Sequence, residues 1–104
     1  MVASLSSADL AQYDERGILF PLPIMSGDEA ARYLDAANVL EEALGGNCKP
    51  VELSQMHLYY QWAHELITHP GILDAVESIL GEDLIVWSAG LFPKHPGQGT
   101  VVGW

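Results

Sequence analysis

The predicted fold depends on residues 83–104, which read DLIVWSAGLFPKHPGQGTVVGW. From Leu84 to Phe92 the stretch is rich in β-branched and aromatic residues, a composition typical of a β-strand. A turn rich in proline and glycine follows at residues 96–99, and Thr100–Trp104 has the composition of a second strand. The sequence therefore predicts a strand–turn–strand unit whose second strand is cut short at Trp104.

The residues before this unit predict helices with clear end signals. Ser6 or Ser7 can cap a short first helix, and Gly17 stands where a C-terminal glycine belongs. Ser26 and Glu29 have the Ser-x-x-Glu spacing of a capping box, which indicates the start of a second helix. That helix has one apolar stripe before a glycine pair ends it, and the stripe consists of Ala30, Tyr33, Leu34, Ala37, Leu40 and Leu44.

Two more helices are predicted after a loop at residues 47–54. The third covers Met56–Thr68, with an apolar face formed by Leu58, Trp62 and Leu66. Pro70 suits the first turn of the fourth helix because its missing N–H has no intrahelical partner there, and Gly81 ends that helix.

The expected fold class is α+β, in one domain or domain fragment. Residues 1–82 are predicted to be mainly helical with one short strand at Ile18–Leu22, and residues 83–104 add the strand–turn–strand unit. A chain of 104 residues is too short for more than one domain of ordinary size.

Charge and composition exclude several classes of protein. The chain carries 14 acidic and four basic residues, a net charge of −10, which disfavours nucleic acid and anionic membranes as partners. No apolar run approaches the roughly 20 residues that span a bilayer, and no signal peptide is recognised at the N-terminus. The lone Cys48 has no disulfide partner within the chain, which fits a cytoplasmic protein.

The four histidines do not form a recognisable metal site. His64 and His69 are five residues apart, which places them about 140° apart around a helix, whereas a zinc-protease helix needs a spacing of four. His57 and His64 are seven apart and can share a helix face, but they have no carboxylate in register. Two polar helix positions are the simpler interpretation.

Three motifs carry a resemblance to a known family. They are Tyr13–Phe20 (Tyr-x-x-x-Gly-x-Leu-Phe), His69–Gly81 (His-Pro-x-Ile-Leu-Asp-Ala-Val-Glu-x-x-Leu-Gly) and Trp87–Gly97 (Trp-Ser-x-x-Leu-Phe-x-Lys-x-Pro-Gly). In order and spacing they resemble the phytanoyl-CoA dioxygenase family of non-haem Fe(II), 2-oxoglutarate-dependent oxygenases. The resemblance extends from about Asp9 to Trp104.

The resemblance implies a fold and a reaction. The family fold is a double-stranded β-helix, or jelly roll, flanked by helices. The family reaction couples decarboxylation of 2-oxoglutarate to hydroxylation of a small molecule at Fe(II). The His-x-Asp pair that supplies two of the three iron ligands would follow Trp104, and none of the four histidines takes its place. We therefore assign no catalytic residue and no metal ligand, and we expect this chain alone to be inactive.

The resemblance also implies cofactor-binding candidates, namely Lys94, Gly90, His57 and Gln61. With a period of two, Gly90 and Lys94 share the strand face that the family turns toward its cosubstrate. Lys94 can pair with a carboxylate, although a solvated lysine at a turn is the simpler interpretation. His57 and Gln61 lie in a polar and aromatic stretch that suits a pocket wall.

Other residues have structural interpretations, and other functions stay open. Trp62, Trp87 and Trp104 are expected to pack in the core or on the sheet, and Cys48 to be an unreactive thiol. The rival function is a non-catalytic α+β interaction module, or a subunit that completes a partner's sheet, with self-association through an exposed strand edge. A small acidic helical adaptor is a third alternative, which leaves the strand motifs unexplained.

Overall fold

The computed structural model describes residues 4–46, 48, 50–97 and 99. Four α-helices and two short 3-10 helices account for its regular structure. In chain order they are α1 (Ser7–Arg16), α2 (Gly27–Ala43), a first 3-10 helix (Pro50–Leu53), a second 3-10 helix (Met56–Leu58), α3 (Gln61–Ile67) and α4 (Pro70–Leu80).

The predicted α+β class is wrong, because the described residues form helices and no β-strand. The stretch Leu84–Phe92 has strand composition, but its one pairing in the described ranges is an isolated antiparallel bridge between Gly90 and Ser54. A segment with high strand propensity forms a strand only when a neighbouring segment pairs with it through a ladder of hydrogen bonds. The second predicted strand, Thr100–Trp104, lies outside the described residues, and no jelly roll is formed by the others.

The short strand predicted at Ile18–Leu22 is also wrong. These residues are irregular, and the peptide bond between Phe20 and Pro21 is cis. Pro21 and Pro23 lack the N–H groups that a strand would donate to a neighbour. The segment links α1 to α2 as irregular chain.

The predicted caps of α1 and α2 are confirmed. Ser6 caps α1: its Oγ accepts a hydrogen bond from the Asp9 N–H at 3.2 Å, and its own N–H donates to the Asp9 carboxylate at 2.9 Å. Ser26 and Glu29 repeat this box at α2, at 3.2 Å and 3.1 Å. Gly17 takes the left-handed conformation after α1, with φ of 71°.

The predicted third helix is divided in two. Gln55 has a positive φ of 52°, the second 3-10 helix ends at Leu58, and Tyr60 is extended at the start of α3. His57 and His64 therefore lie in separate elements and do not share a helix face. Leu58, expected on the apolar face, is mostly exposed, because the chain turns between it and Trp62.

Helix α4 begins and ends as predicted. Pro70 occupies its first turn and Gly81 follows its last residue. His69 is the N-cap, and its buried ring accepts a hydrogen bond at Nδ1 from the Gly71 N–H at 3.1 Å. The other ring nitrogen, Nε2, lies 3.6 Å from the Glu29 carboxylate, so the starts of α2 and α4 are in contact.

The core of the described residues is small. Its main cluster consists of the buried residues Leu40, Leu53, Met56 and Ala63, with the half-buried Leu44, Cys48, Tyr60, Trp62 and Leu91 packed against them. The prediction for Trp62 is thus confirmed, whereas Trp87 is 91% exposed and its predicted core position is wrong. Trp104 lies outside the described residues. Among the described helices, none combines the length and the apolarity needed to cross a membrane.

Candidate functional site

The candidate site is built on a junction between two backbone segments, Leu53–Met56 and Ala89–Leu91, which we call the backbone junction. The Met56 N–H donates to the Ala89 carbonyl at 3.1 Å, and the Leu91 N–H donates to the Leu53 carbonyl at 3.1 Å. These two bonds hold the third sequence motif against the first and second 3-10 helices. The junction borders the core, because Leu53 and Met56 belong to the core cluster and Leu91 packs against it.

Gly90 lies at the centre of the backbone junction. A Cβ atom built on it would lie 2.6 Å from the Leu53 carbonyl oxygen, a separation that real Cβ atoms do not adopt. Glycine is therefore required here because two backbones approach closely. This role is structural, and the predicted contact between Gly90 and a cofactor stays a prediction.

His57 follows the junction directly, in the second 3-10 helix. Its ring Nδ1 is buried and has no hydrogen-bond partner within the described part of the chain. An unpaired buried polar nitrogen costs about 1–3 kcal/mol, so a group that supplies a partner would be bound favourably. Of the predicted site residues, His57 is the one with a buried polar atom that has no partner among the described residues.

Gln61 is engaged elsewhere. Its Nε2 donates to the Glu65 carboxylate at 2.7 Å, one turn along the exposed face of α3. A ligand that binds Gln61 must compete with this bond. The structure thus places Gln61 on the helix surface, and its role in cofactor binding stays a prediction.

Lys94 lies four residues beyond Gly90 and is exposed. The next residue, His95, places its Nε2 3.0 Å from the Glu41 carboxylate, which holds this end of the segment against α2. The face predicted to be shared by Gly90 and Lys94 is exposed, whereas Ala89 and Leu91 on the other face are half-buried. Both interpretations of Lys94 therefore stay open.

Cys48 is half-buried beside the core and is not activated. Burial is the main cause that raises the pKa of its thiol, and the negative charges of Glu41 and Glu52 raise that pKa further. A raised pKa leaves little thiolate, the reactive form, at neutral pH. This supports the interpretation of Cys48 as an unreactive thiol.

The described residues do not fit an iron centre. Within the ranges the structure describes, no three His, Cys, Asp or Glu side chains are grouped so that they could hold a metal. A non-haem Fe(II) centre needs two histidines and a carboxylate on one side of the metal.

A second feature, which the sequence analysis missed, is an apolar cavity of about 150 Å³ between α4 and the N-terminal segments. The first two motifs meet there, with Tyr13 and Leu19 opposite Val76 and Ile79. A hydrogen bond from the Leu5 N–H to the Ser78 hydroxyl, at 3.1 Å, closes one side. The cavity has no charged lining residue, so it does not suit a dicarboxylate such as 2-oxoglutarate.

Comparisons with protein-family models, with curated proteins and with solved structures return no match for this chain. Function is therefore inferred from the residues themselves and from their geometry.

Proposed function

We propose that this chain is the N-terminal part of a phytanoyl-CoA dioxygenase-like hydroxylase that uses Fe(II) and 2-oxoglutarate and acts on a small molecule. The observation that carries the proposal is the position of the third motif. Its glycine, Gly90, is held against the Leu53 carbonyl, and His57 with its unpaired ring nitrogen follows the same junction. A buried polar nitrogen without a partner is a group that a bound polar ligand would satisfy, and ligand pockets use a small number of such polar groups.

Each candidate residue has a distinct role on this proposal. His57 supplies a hydrogen bond to a polar ligand atom, and Lys94 supplies positive charge for a carboxylate of 2-oxoglutarate. Gly90 keeps the two backbones close enough to form the wall. Iron would activate oxygen in the complete enzyme, but its ligands are not among the described residues, so we expect the chain alone to be inactive.

Two measurements test this proposal. Anaerobic titration of the chain with Fe(II), or with Zn(II) as a surrogate, is expected to reveal no stoichiometric site of submicromolar affinity. A longer product of the same reading frame, carrying a His-x-Asp pair soon after Trp104, is expected to convert 2-oxoglutarate to succinate when Fe(II) is present. If the frame continues without such a pair, or the longer product forms no succinate, the oxygenase proposal is wrong.

A second candidate is a non-catalytic interaction module. The observation in its favour is the exposure of large apolar side chains in the third motif, above all Ile85, Trp87 and Phe92. Surfaces of this kind mark interaction sites in proteins. This candidate predicts that the reading frame supplies no iron ligands. We place either protein in the cytoplasm, because a single thiol fits a reducing compartment.

A further inference from the structure

The segment Leu84–Phe92, called the apolar segment below, is largely uncovered by the described residues. The chain runs from Asp83 to His95 without a helix, turn or bend. Within the described part of the chain, the backbone of residues 85–92 is hydrogen-bonded only at the backbone junction. Ile85 and Trp87 are each 91% exposed and Phe92 is 81% exposed. These side chains therefore have almost no contact with the described remainder of the molecule.

One edge of the apolar segment has free hydrogen-bonding groups. The Ala89 carbonyl and the Leu91 N–H point toward Leu53–Met56 and are bonded there. Backbone groups alternate between the two edges of an extended chain, so those of Ser88 and Gly90 point toward the opposite edge. Among the described residues, no hydrogen bond involves the backbone of Val86, Ser88 or Gly90.

The charges at the two ends of the apolar segment have opposite sign. Glu82 and Asp83 precede it, and Lys94 follows it. Two copies that pair in antiparallel orientation place the acidic end of one against the basic end of the other. Parallel pairing would instead place like charges together, which is unfavourable. The segment is thus complementary to a second copy of itself in one orientation.

The free edge also selects a register. Hydrogen-bonded pairs must form between Val86, Ser88 and Gly90, whose backbone groups point to that edge. A two-fold axis at Ser88 satisfies this condition, since it places Ser88 opposite its own copy and Val86 opposite Gly90 of the other copy. The Leu84 N–H donates to the Glu82 carbonyl at 3.0 Å, so the pairing does not extend to the acidic end itself. A two-fold interface of this kind closes on itself and leads to a dimer rather than a fibre.

We propose that two copies of this chain associate through their apolar segments as antiparallel strands, with the two-fold axis at Ser88. The free backbone groups supply the hydrogen bonds between the two copies, and the exposed apolar side chains become partly buried. The acidic and basic ends fix the orientation. This inference concerns the chain as it stands and does not rest on the proposed oxygenase function.

Disulfide trapping tests the register. With Cys48→Ser removing the native thiol, Ser88→Cys places two cysteines in a hydrogen-bonded pair, where Cα atoms are about 5.5 Å apart, within the range that a disulfide bridges. Mild oxidation is expected to convert most of this variant to a covalent dimer. The matched control is Val86→Cys, whose two copies lie about 13 Å apart in this register and are expected to stay unlinked. Absence of the Ser88→Cys dimer, or equal linkage of both variants, overturns the proposal.

Charge reversal tests the orientation independently. Sedimentation of the unmodified chain is expected to show a monomer–dimer equilibrium. Glu82→Lys brings like charges near each other at both ends of the pairing and is expected to raise the dimer Kd about tenfold. Adding Lys94→Glu to that variant is expected to restore the original Kd, which a merely local effect of either substitution would not do. A chain that stays monomeric up to about 1 mM, or a double variant without recovery, contradicts the proposal.

Discussion

Gly90 belongs to the third sequence motif, and the structure gives a direct physical reason for a glycine at this position. Its Cβ position is blocked by a backbone carbonyl rather than by a flexible side chain, so relief requires one of the two segments to move. The unpaired Nδ1 of His57 lies just beyond the same junction. At this scale, one crowded backbone contact determines whether the candidate site is formed at all.

Replacing Gly90 with alanine is therefore expected to destabilise the fold by about 1–3 kcal/mol, the usual cost of overpacking. Urea unfolding followed by circular dichroism measures this change. Gly27→Ala is the matched control: Gly27 is the first residue of α2, it has open space around it, and its φ is not positive. Equal stability of the Gly90→Ala and Gly27→Ala variants would show that the backbone junction is not tightly packed.

Lys94 can be tested only in the longer product. If its ammonium group binds a 2-oxoglutarate carboxylate, Lys94→Ala is expected to raise the KM for 2-oxoglutarate about tenfold, equivalent to roughly 1.4 kcal/mol. Iron affinity should stay the same, because Lys94 is not a ligand. Lys94→Met, which retains most of the apolar stem, is expected to behave like Lys94→Ala. A KM within about twofold of the parent in both variants would favour the solvated-turn interpretation.

At the scale of elements, helix ends were predictable and strands were not, for a physical reason. The boxes at Ser6 and Ser26 depend on residues three positions away, so the local sequence contains their whole cause. A strand at Leu84–Phe92 depends on a distant partner, and the described residues supply only the bridge at Ser54. The backbone junction is likewise non-local, so the sequence could name His57 and Gly90 as candidates but could not derive the junction that adjoins them.

The two capping boxes make a specific prediction about pH. Hydrogen bonds from the Ser6 hydroxyl, and then from its N–H, lower the pKa of Asp9 below its ordinary value of 3.8. The Ser26 N–H is the main cause that lowers the pKa of Glu29 below 4.5. Because both folded values are depressed, their contribution to stability is complete above the unfolded values and is lost as the pH falls through the folded ones.

Stability is therefore expected to decline as the pH falls below about 4.5, and less steeply in an Asp9→Asn, Glu29→Gln double variant. Urea midpoints measured between about pH 6 and pH 3 test this expectation. Glu15→Gln serves as the control, because Glu15 is exposed on α1 and belongs to neither box. The same slope in the parent and the double variant would rule out the boxes as the source of the pH dependence.

At the scale of the whole molecule, the chain buries little of its apolar surface. Its radius of gyration is 15.9 Å, against about 13 Å for a compact domain of this length. The core cluster has four buried residues, and a second buried pair, Leu5 and Ala75, lines the cavity near α4. Large apolar side chains such as Phe20 and Trp87 stay exposed. Burial contributes about 25 cal/mol per Å², so a small core offsets the loss of chain entropy only narrowly.

We therefore expect thermal unfolding of the dilute chain to be broad and its midpoint to lie below about 65 °C, the upper end for ordinary mesophilic domains. Because only folded copies form the dimer, dimerisation stabilises the folded state, and the midpoint is expected to rise with protein concentration. Trp87→Ser separates the two contributions: the side chain is 91% exposed, so its removal should leave the dilute midpoint unchanged while reducing the concentration dependence. A sharp, concentration-independent transition of a monomer above about 65 °C would show instead that the fold is stable without burial of the apolar segment in a dimer.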